Sequence, residues 1–258
     1  MTQSARKFPR VDRALALIGA ASFLIAGMST APASLLAAVA TRAAPLLSIG
    51  GAEGTVWRGA FTDVAHDGIH LGRVDFRLSL LSLFAARLGA DLTVSGGALD
   101  AKARVTASRD RIGIENARAR FNLAAIRRYT IFGLRYQGTA DVTAKRISLS
   151  RRFCAADDAR IATTALDGIA RRWTGEGMPL AGVASCEEGA LVISLAGENR
   201  EGGVTLTTRV SPDFAYKMAV TAAPRRDEMR AALRAYGFLE DNAALSYQAS
   251  GRLKGLTS

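Results

Sequence analysis

Between Leu88 and Ser108 apolar and polar residues take turns almost without a break. Leu88, Ala90, Leu92 and Val94 alternate with Gly89, Asp91 and Thr93; after Gly96-Gly97, Leu99, Ala101, Ala103, Val105 and Ala107 alternate with Asp100, Lys102, Arg104, Thr106 and Ser108. Successive side chains of an extended strand point to opposite faces, so a period of two specifies strands with one packed face and one wetted face. The Gly-Gly pair between the two runs suits a hairpin turn, which makes the two strands antiparallel neighbours.

The same pattern recurs along the chain. Val74, Phe76, Leu78 and Leu80 alternate with Asp75, Arg77 and Ser79, and Leu191, Ile193 and Leu195 form another run. Val204, Leu206, Thr208 and Val210 follow a turn at Glu198–Gly203; then come Tyr216, Met218 and Val220, and finally Leu245, Tyr247 and Ala249. Val142, Ala144, Ile147 and Leu149 read as a strand with one phase slip, the mark of a bulge. Strands at this spacing predict a mainly β fold: an antiparallel meander, half-open sandwich or barrel, with one or two short helices. The clearest helix is Arg225–Tyr236, with Asp227 and Glu228 in its first turn, Met229, Leu233 and Tyr236 on one face, and Gly237 at its end. Asn122–Tyr129 reads as a short helix, and Ala159–Arg172 as helix or irregular link. Leu134–Asp141 echoes Leu245–Arg252, which raises two similar β halves, about 46–150 and 187–258, joined by 151–186.

No charged residue occurs from Ala14 to Thr41. A helix crosses a bilayer with about 20 apolar residues, and this stretch is long enough. Arg6, Lys7, Arg10 and Arg13 precede it, opposed only by Asp12, and the positive-inside rule therefore leaves residues 1–13 in the cytoplasm as a basic stub. Residues 14–40 then form one transmembrane signal anchor and 41–258 the exported β domain. Ala31-Pro32-Ala33 has the small-residue spacing of a cleavage site, the alternative being a cleaved signal peptide. The apolar run continues past Pro32 and exceeds the about 7–15 residues of a signal core, which favours an uncleaved anchor. Roughly 210 residues remain beyond it, enough for one sizeable β domain or two smaller packed halves.

The formal net charge of +11 raises the question of nucleic acid. Beyond the stub, however, the basic residues are single or in pairs such as Arg127-Arg128 and Arg225-Arg226, with no interleaved aromatic ladder. A nucleic-acid groove concentrates both features, so nucleic acid is not an expected partner. A cationic surface near anionic lipid headgroups or acidic partners is the plainer reading.

The two cysteines, Cys154 and Cys186, both fall in the exported part, where an oxidising compartment lets them pair. Such a bridge closes a loop of about 33 residues and is worth roughly 3–4 kcal/mol. Two buried free thiols are the alternative. A metal site needs three or four ligands, and the only histidines, His66 and His70, are far away in sequence. They are four apart, a spacing that puts both on one face if they share a strand, but a solvated turn fits them better. Gly50-Gly-Ala-Glu-Gly54 looks like a phosphate loop, yet Thr-Val-Trp after it is a strand pattern and supplies no helix N-terminus. Asp157-Asp158 and Glu187-Glu188 read as loop charges. With no nucleophile elbow, zinc motif, Walker loop or dinucleotide fingerprint, the sequence predicts no catalytic, cofactor or metal site and no enzyme.

One stretch carries a family pattern. Gly54-Thr55-Val56-Trp57-Arg58-Gly59 is followed by a short strand and then by Ile69-His-Leu-Gly-Arg-Val-Asp-Phe-Arg-Leu-Ser-Leu80. This is similar to protein N of the type II secretion system, the general secretion pathway protein N family. The stub, the anchor, two separated cysteines and the glycine-containing strand Tyr247–Leu253 fit as well; Phe76 stands where that family commonly has tryptophan. The resemblance implies a non-catalytic accessory role, held in the inner membrane with its bulk in the periplasm. Its partners would be other secretion-system subunits, and its role to support export of folded proteins across the outer membrane. Glycine turns and amphipathic strands also occur in AsmA-like envelope proteins, so a lipid-handling periplasmic β protein is the alternative, with lipid as its partner.

Overall fold

The computed structural model describes residues 15, 19, 27, 29–79, 87–108, 111–126, 130–131, 134–150, 153–213, 215–241 and 244–252. Arg6, Lys7, Arg10 and Arg13, most of the apolar stretch up to Met28, and Leu80 lie outside them. Among the described residues no helix is long and apolar enough to cross a membrane. The chain is helical at Ser29 and Thr30 and leaves the helix at Ala31. A separate helix, α1, covers Ser34–Ala43.

The strands follow in order: β1 Leu47–Ser48, β2 Gly51–Gly54, β3 Arg58–His66, β4 Ile69–Leu78, β5 Leu88–Gly96, β6 Leu99–Ala107, β7 Arg111–Asn122, β8 Thr130–Ile131, β9 Leu134–Arg135 and β10 Thr139–Ser150. Then come β11 Cys154–Asp157, β12 Ala159–Thr163, helix α2 Asp167–Thr174, β13 Leu180–Glu187, β14 Ala190–Asn199, β15 Gly202–Val210, β16 Ala215–Pro224, helix α3 Asp227–Ala235, β17 Leu239–Asp241 and β18 Ala244–Arg252. Sixteen strands build one open antiparallel sheet whose order follows the sequence from β3 to β16 apart from the separate β8–β9 hairpin; β18 and β17 then close the series in reversed order. Short turns enforce that order: in Asp67-Gly68 and Glu188-Gly189 both residues have positive φ, the geometry that matches strand twist in two-residue hairpins.

Cross-strand pairing aligns the apolar positions into rows. One row runs Phe61, Val74, Val94, Ala101, Ala119, Val142, Ile161, Gly182, Leu195, Leu206, Val220, Tyr247 through twelve strands. Most of this row is half-buried, whereas Asp91, Lys102, Arg118, Thr143 and Thr207 on the opposite face are exposed. Three clusters of buried residues lie along the sheet. Ala170 and Met178, around α2, lie on Leu180 and Leu195. Ala144, Ala159 and Ala184 pack where small residues bring strands together. Phe238, just after α3, covers Ala222 and Leu245, with Leu233 packed against them.

The phase slip in β10 is real: Lys145 and Arg146 are both exposed between buried Ala144 and half-buried Ile147. The neighbouring strands break at the same level. Asn116 of β7 and Asp158 between β11 and β12 have φ near +50°, and the β6–β7 register shifts between Lys102 and Arg104. A bulge in one strand of a sheet is thus matched by its neighbours.

Several expectations are corrected. Ala159–Arg172 is neither one helix nor a loose link; it holds β12 and the start of α2, because Ile161 and Thr163 face the apolar side while Arg160 faces water. Of Asn122–Tyr129, the described part up to Ile126 holds a 3-10 turn at Leu123–Ala125, with the Asn122 carboxamide accepting from the Ala124 amide, and 127–129 lie outside the described residues. The sheet neither closes into a barrel nor divides into two hydrogen-bonded layers. Leu134-Arg135 lies in the small hairpin, and 151–186 contributes β11, β12 and most of β13 to the sheet. On α3, Leu233 faces inward as expected, but Tyr236 is 48% exposed.

Candidate interaction surface

The hexapeptide Gly54–Gly59 is a clasp that receives the chain arriving from the N-terminus. Gly54 ends β2 with φ +85°, a conformation that side chains resist, and a Cβ there would meet the Arg58 carbonyl oxygen at 2.5 Å. The turn closes when the Thr55 amide donates to the Arg58 carbonyl at 3.0 Å, while the Thr55 hydroxyl accepts from the Arg58 amide at 3.4 Å. Thr55–Trp57 is therefore a link between strands, not the strand its composition suggests.

Two backbone bonds fasten the incoming chain to the clasp, and a third ties the clasp to β4. The Ala33 amide donates to Gly54 at 3.0 Å, the Val56 amide to Ala31 at 2.9 Å, and the Leu78 amide to Trp57 at 2.8 Å. Pro32 bridges Thr55, and Ala33 is 1% exposed. Gly59 makes room for this contact, since a Cβ there would lie 2.3 Å from the Glu53 carbonyl oxygen and 3.2 Å from the Ala33 Cβ. Trp57 is half-buried and lines an apolar pocket of about 300 Å³ with Ala31, Leu36, Val56, Leu78 and Leu88. Phe76 is in the core, stacked at 4.8 Å on Phe61.

The exposed face is laced by ion pairs between neighbouring strands. Arg104 donates to both Asp91 oxygens at 2.8 and 3.2 Å, and these hydrogen bonds hold the Asp91 carboxyl below its usual value. Arg73 bridges Asp75 and Glu53 at 3.1 and 3.0 Å, and Arg120 reaches Asp141 at 2.6 Å. Pairs this exposed add little stability, but they fix a regular polar surface.

Cys154 and Cys186 are joined in a disulfide, with Cα atoms 5.7 Å apart. Hydrogen-bonded pairing between β12 and β13 runs from Ala159↔Ala184 to Thr163↔Leu180. Past the break at Asp158, β11 pairs with β10 and not with β13. The disulfide ties β11 to β13 where the backbone ladder no longer does.

His66 and His70 do not share a strand. They end β3 and begin β4 on either side of the Asp67-Gly68 turn, where Ala65 pairs with His70. Among the described residues no group of three or more His, Cys, Asp or Glu side chains comes together as a metal site. Sequence reading missed Ala31 and Ala33 as contact residues, because small side chains in an apolar run carry no signal of their own.

No curated protein and no solved structure shows significant similarity to the chain. The family model described as type II secretion system (T2SS), protein N, matches residues 45–246, a span that includes the clasp, both cysteines and all of the sheet except the last part of β18. The chain belongs to the type II secretion system protein N family.

Proposed function

We propose that this protein is a non-catalytic docking component of the type II secretion system. Its β-sheet sits in the periplasm, held at the outer face of the inner membrane by the apolar stretch from Ala14 up to Ala31, where the chain joins the sheet, with the basic stub in the cytoplasm. It supports passage of folded proteins from the periplasm across the outer membrane. The observation that carries this reading is the family match over 45–246. It is supported by an architecture that offers a broad, regular polar face and a clasp joining that sheet to the incoming N-terminal chain. The disulfide suits the same oxidising compartment.

The test is photocrosslinking in cells from the full chain, with a photoreactive residue at exposed Thr207 on the polar face. Adducts with other secretion-system subunits are expected. Adducts with none of them, from several positions on that face, would overturn the docking role.

A second reading is lipid handling within the envelope. It is favoured by the apolar row across twelve strands, most of which is only half-buried. Lipid extraction of the purified chain separates the two: a stoichiometric acyl lipid supports this reading, and a lipid-free protein rejects it.

A further inference from the structure

The antiparallel sheet has two ends of different character. At one end lie the longer connections, α2 and α3. At the other lie Leu78, the start of β5, the β6–β7 and β10–β11 turns, and the clasp where Ala31 arrives. Leu88 and Ile112 sit there in one row, either side of Ala107. They are 55% and 48% exposed. Phe153 is 44% exposed in the adjoining turn, where its carbonyl accepts from the Ser150 amide at 2.8 Å. The Arg111 guanidinium lies over its ring, 4.9 Å from the centroid.

Exposed apolar residues alone do not single out this end, because Leu239 and Tyr236 are 74% and 48% exposed at the other. Charge does. Around α3 the arginines are neutralised: Arg225 pairs with Glu198 at 2.9 Å, Arg230 with Glu240 at 3.2 Å, and Arg234 also with Glu240. At the clasp end Arg77, Arg87 and Arg111 are exposed; Arg77 stands opposite Asp91, whose carboxyl its charge helps to depress, while Arg87 and Arg111 make no ion pair with a carboxylate among the described residues. Leu88 also lines the same pocket as Ala31, the point at which the apolar N-terminal segment reaches the sheet. Apolar side chains beside exposed arginines, at the exit of a membrane segment, match the boundary between acyl chains and anionic headgroups.

We propose that the clasp end of the sheet rests on an anionic phospholipid bilayer, with Leu88, Ile112 and Phe153 among the acyl chains and Arg77, Arg87 and Arg111 at the phosphates. This rests on the reading that the apolar stretch from Ala14 up to Ala31 is anchored. It fixes the sheet's orientation, standing on the membrane with α2 and α3 pointing away.

The full chain is reconstituted in vesicles of phosphatidylethanolamine and phosphatidylglycerol, with a photoreactive residue replacing Ile112, Phe153 or, at the far end, Leu239. Lipid adducts are expected from positions 112 and 153 and not from 239. R77E, R87E and R111E together should lower the adduct yield on these vesicles by at least about five-fold for each arginine engaged, and leave it unchanged on zwitterionic ones. Alkaline carbonate tests the anchor separately. A chain that resists extraction but gives no adduct at 112 and 153, or an equal yield at 239, overturns the orientation alone. A chain stripped by carbonate overturns anchor and orientation together.

Discussion

The ring of Phe76 lies 2.9 Å from the point where a side chain on Gly59 would begin. The core of the sheet and the family hexapeptide therefore meet at one atom's breadth, and the Glu53 carbonyl closes the other side at 2.3 Å. Gly59→Val forces apart β2 and β3, the strands that hold the clasp. We expect a loss of about 3 kcal/mol, read as a lower denaturation midpoint. An unchanged midpoint would show that the strands part freely and that the clasp is not a fixed element.

The disulfide makes a separate prediction. Replacing Cys154 and Cys186 together with alanine removes the tie between β11 and β13. Stability should fall by about 3 kcal/mol against the oxidised protein. Reductant should produce a similar drop in the parent chain and none in the double variant. Equal stability of oxidised and reduced parent contradicts the bridge as a structural tie.

The faces of the strands were legible from Leu88 to Ala107 because each strand there packs one side and wets the other. Alternation reports faces, not neighbours, so a single open sheet and a sandwich looked alike. The Val142–Leu149 phase slip was visible, but its matching breaks at Asn116 and Asp158 were not, since only pairing aligns them. Ala159–Thr163 was misread because a five-residue strand beside a true helix offers too few periods to separate 2 from 3.6. The hexapeptide pointed to the family, yet its physical task depends on Ala31 and Ala33, which only the folded chain brings against Val56 and Gly59.

Leu245 is 0% exposed between Ala222 and Phe238. Leu245→Ala leaves a cavity beneath the segment that follows α3, and should cost about 3 kcal/mol. Hydrogen exchange should show β16–β18 loosened first. Protection unchanged in those strands would mean that Phe238 does not depend on Leu245 for its place.

Asp91 gives the fold a small acid-sensitive element. Its folded value is depressed by the hydrogen bonds from Arg104. Its contribution is therefore complete above the unfolded value of about 3.9 and is lost as pH falls through the folded one. At half exposure the effect is small. Asp91→Asn should be slightly less stable than the parent at neutral pH and equal to it in strong acid. A difference that persists in strong acid contradicts the assignment.

If the chain serves export through the type II system, exoprotein secretion depends on it. The direct measurement is the partition of folded exoproteins between periplasm and medium in cells lacking the chain. Exoproteins should be retained in the periplasm, outer-membrane permeability should not change, and the wild-type chain should restore secretion. Intact secretion with altered outer-membrane permeability would contradict the account and point to lipid handling instead.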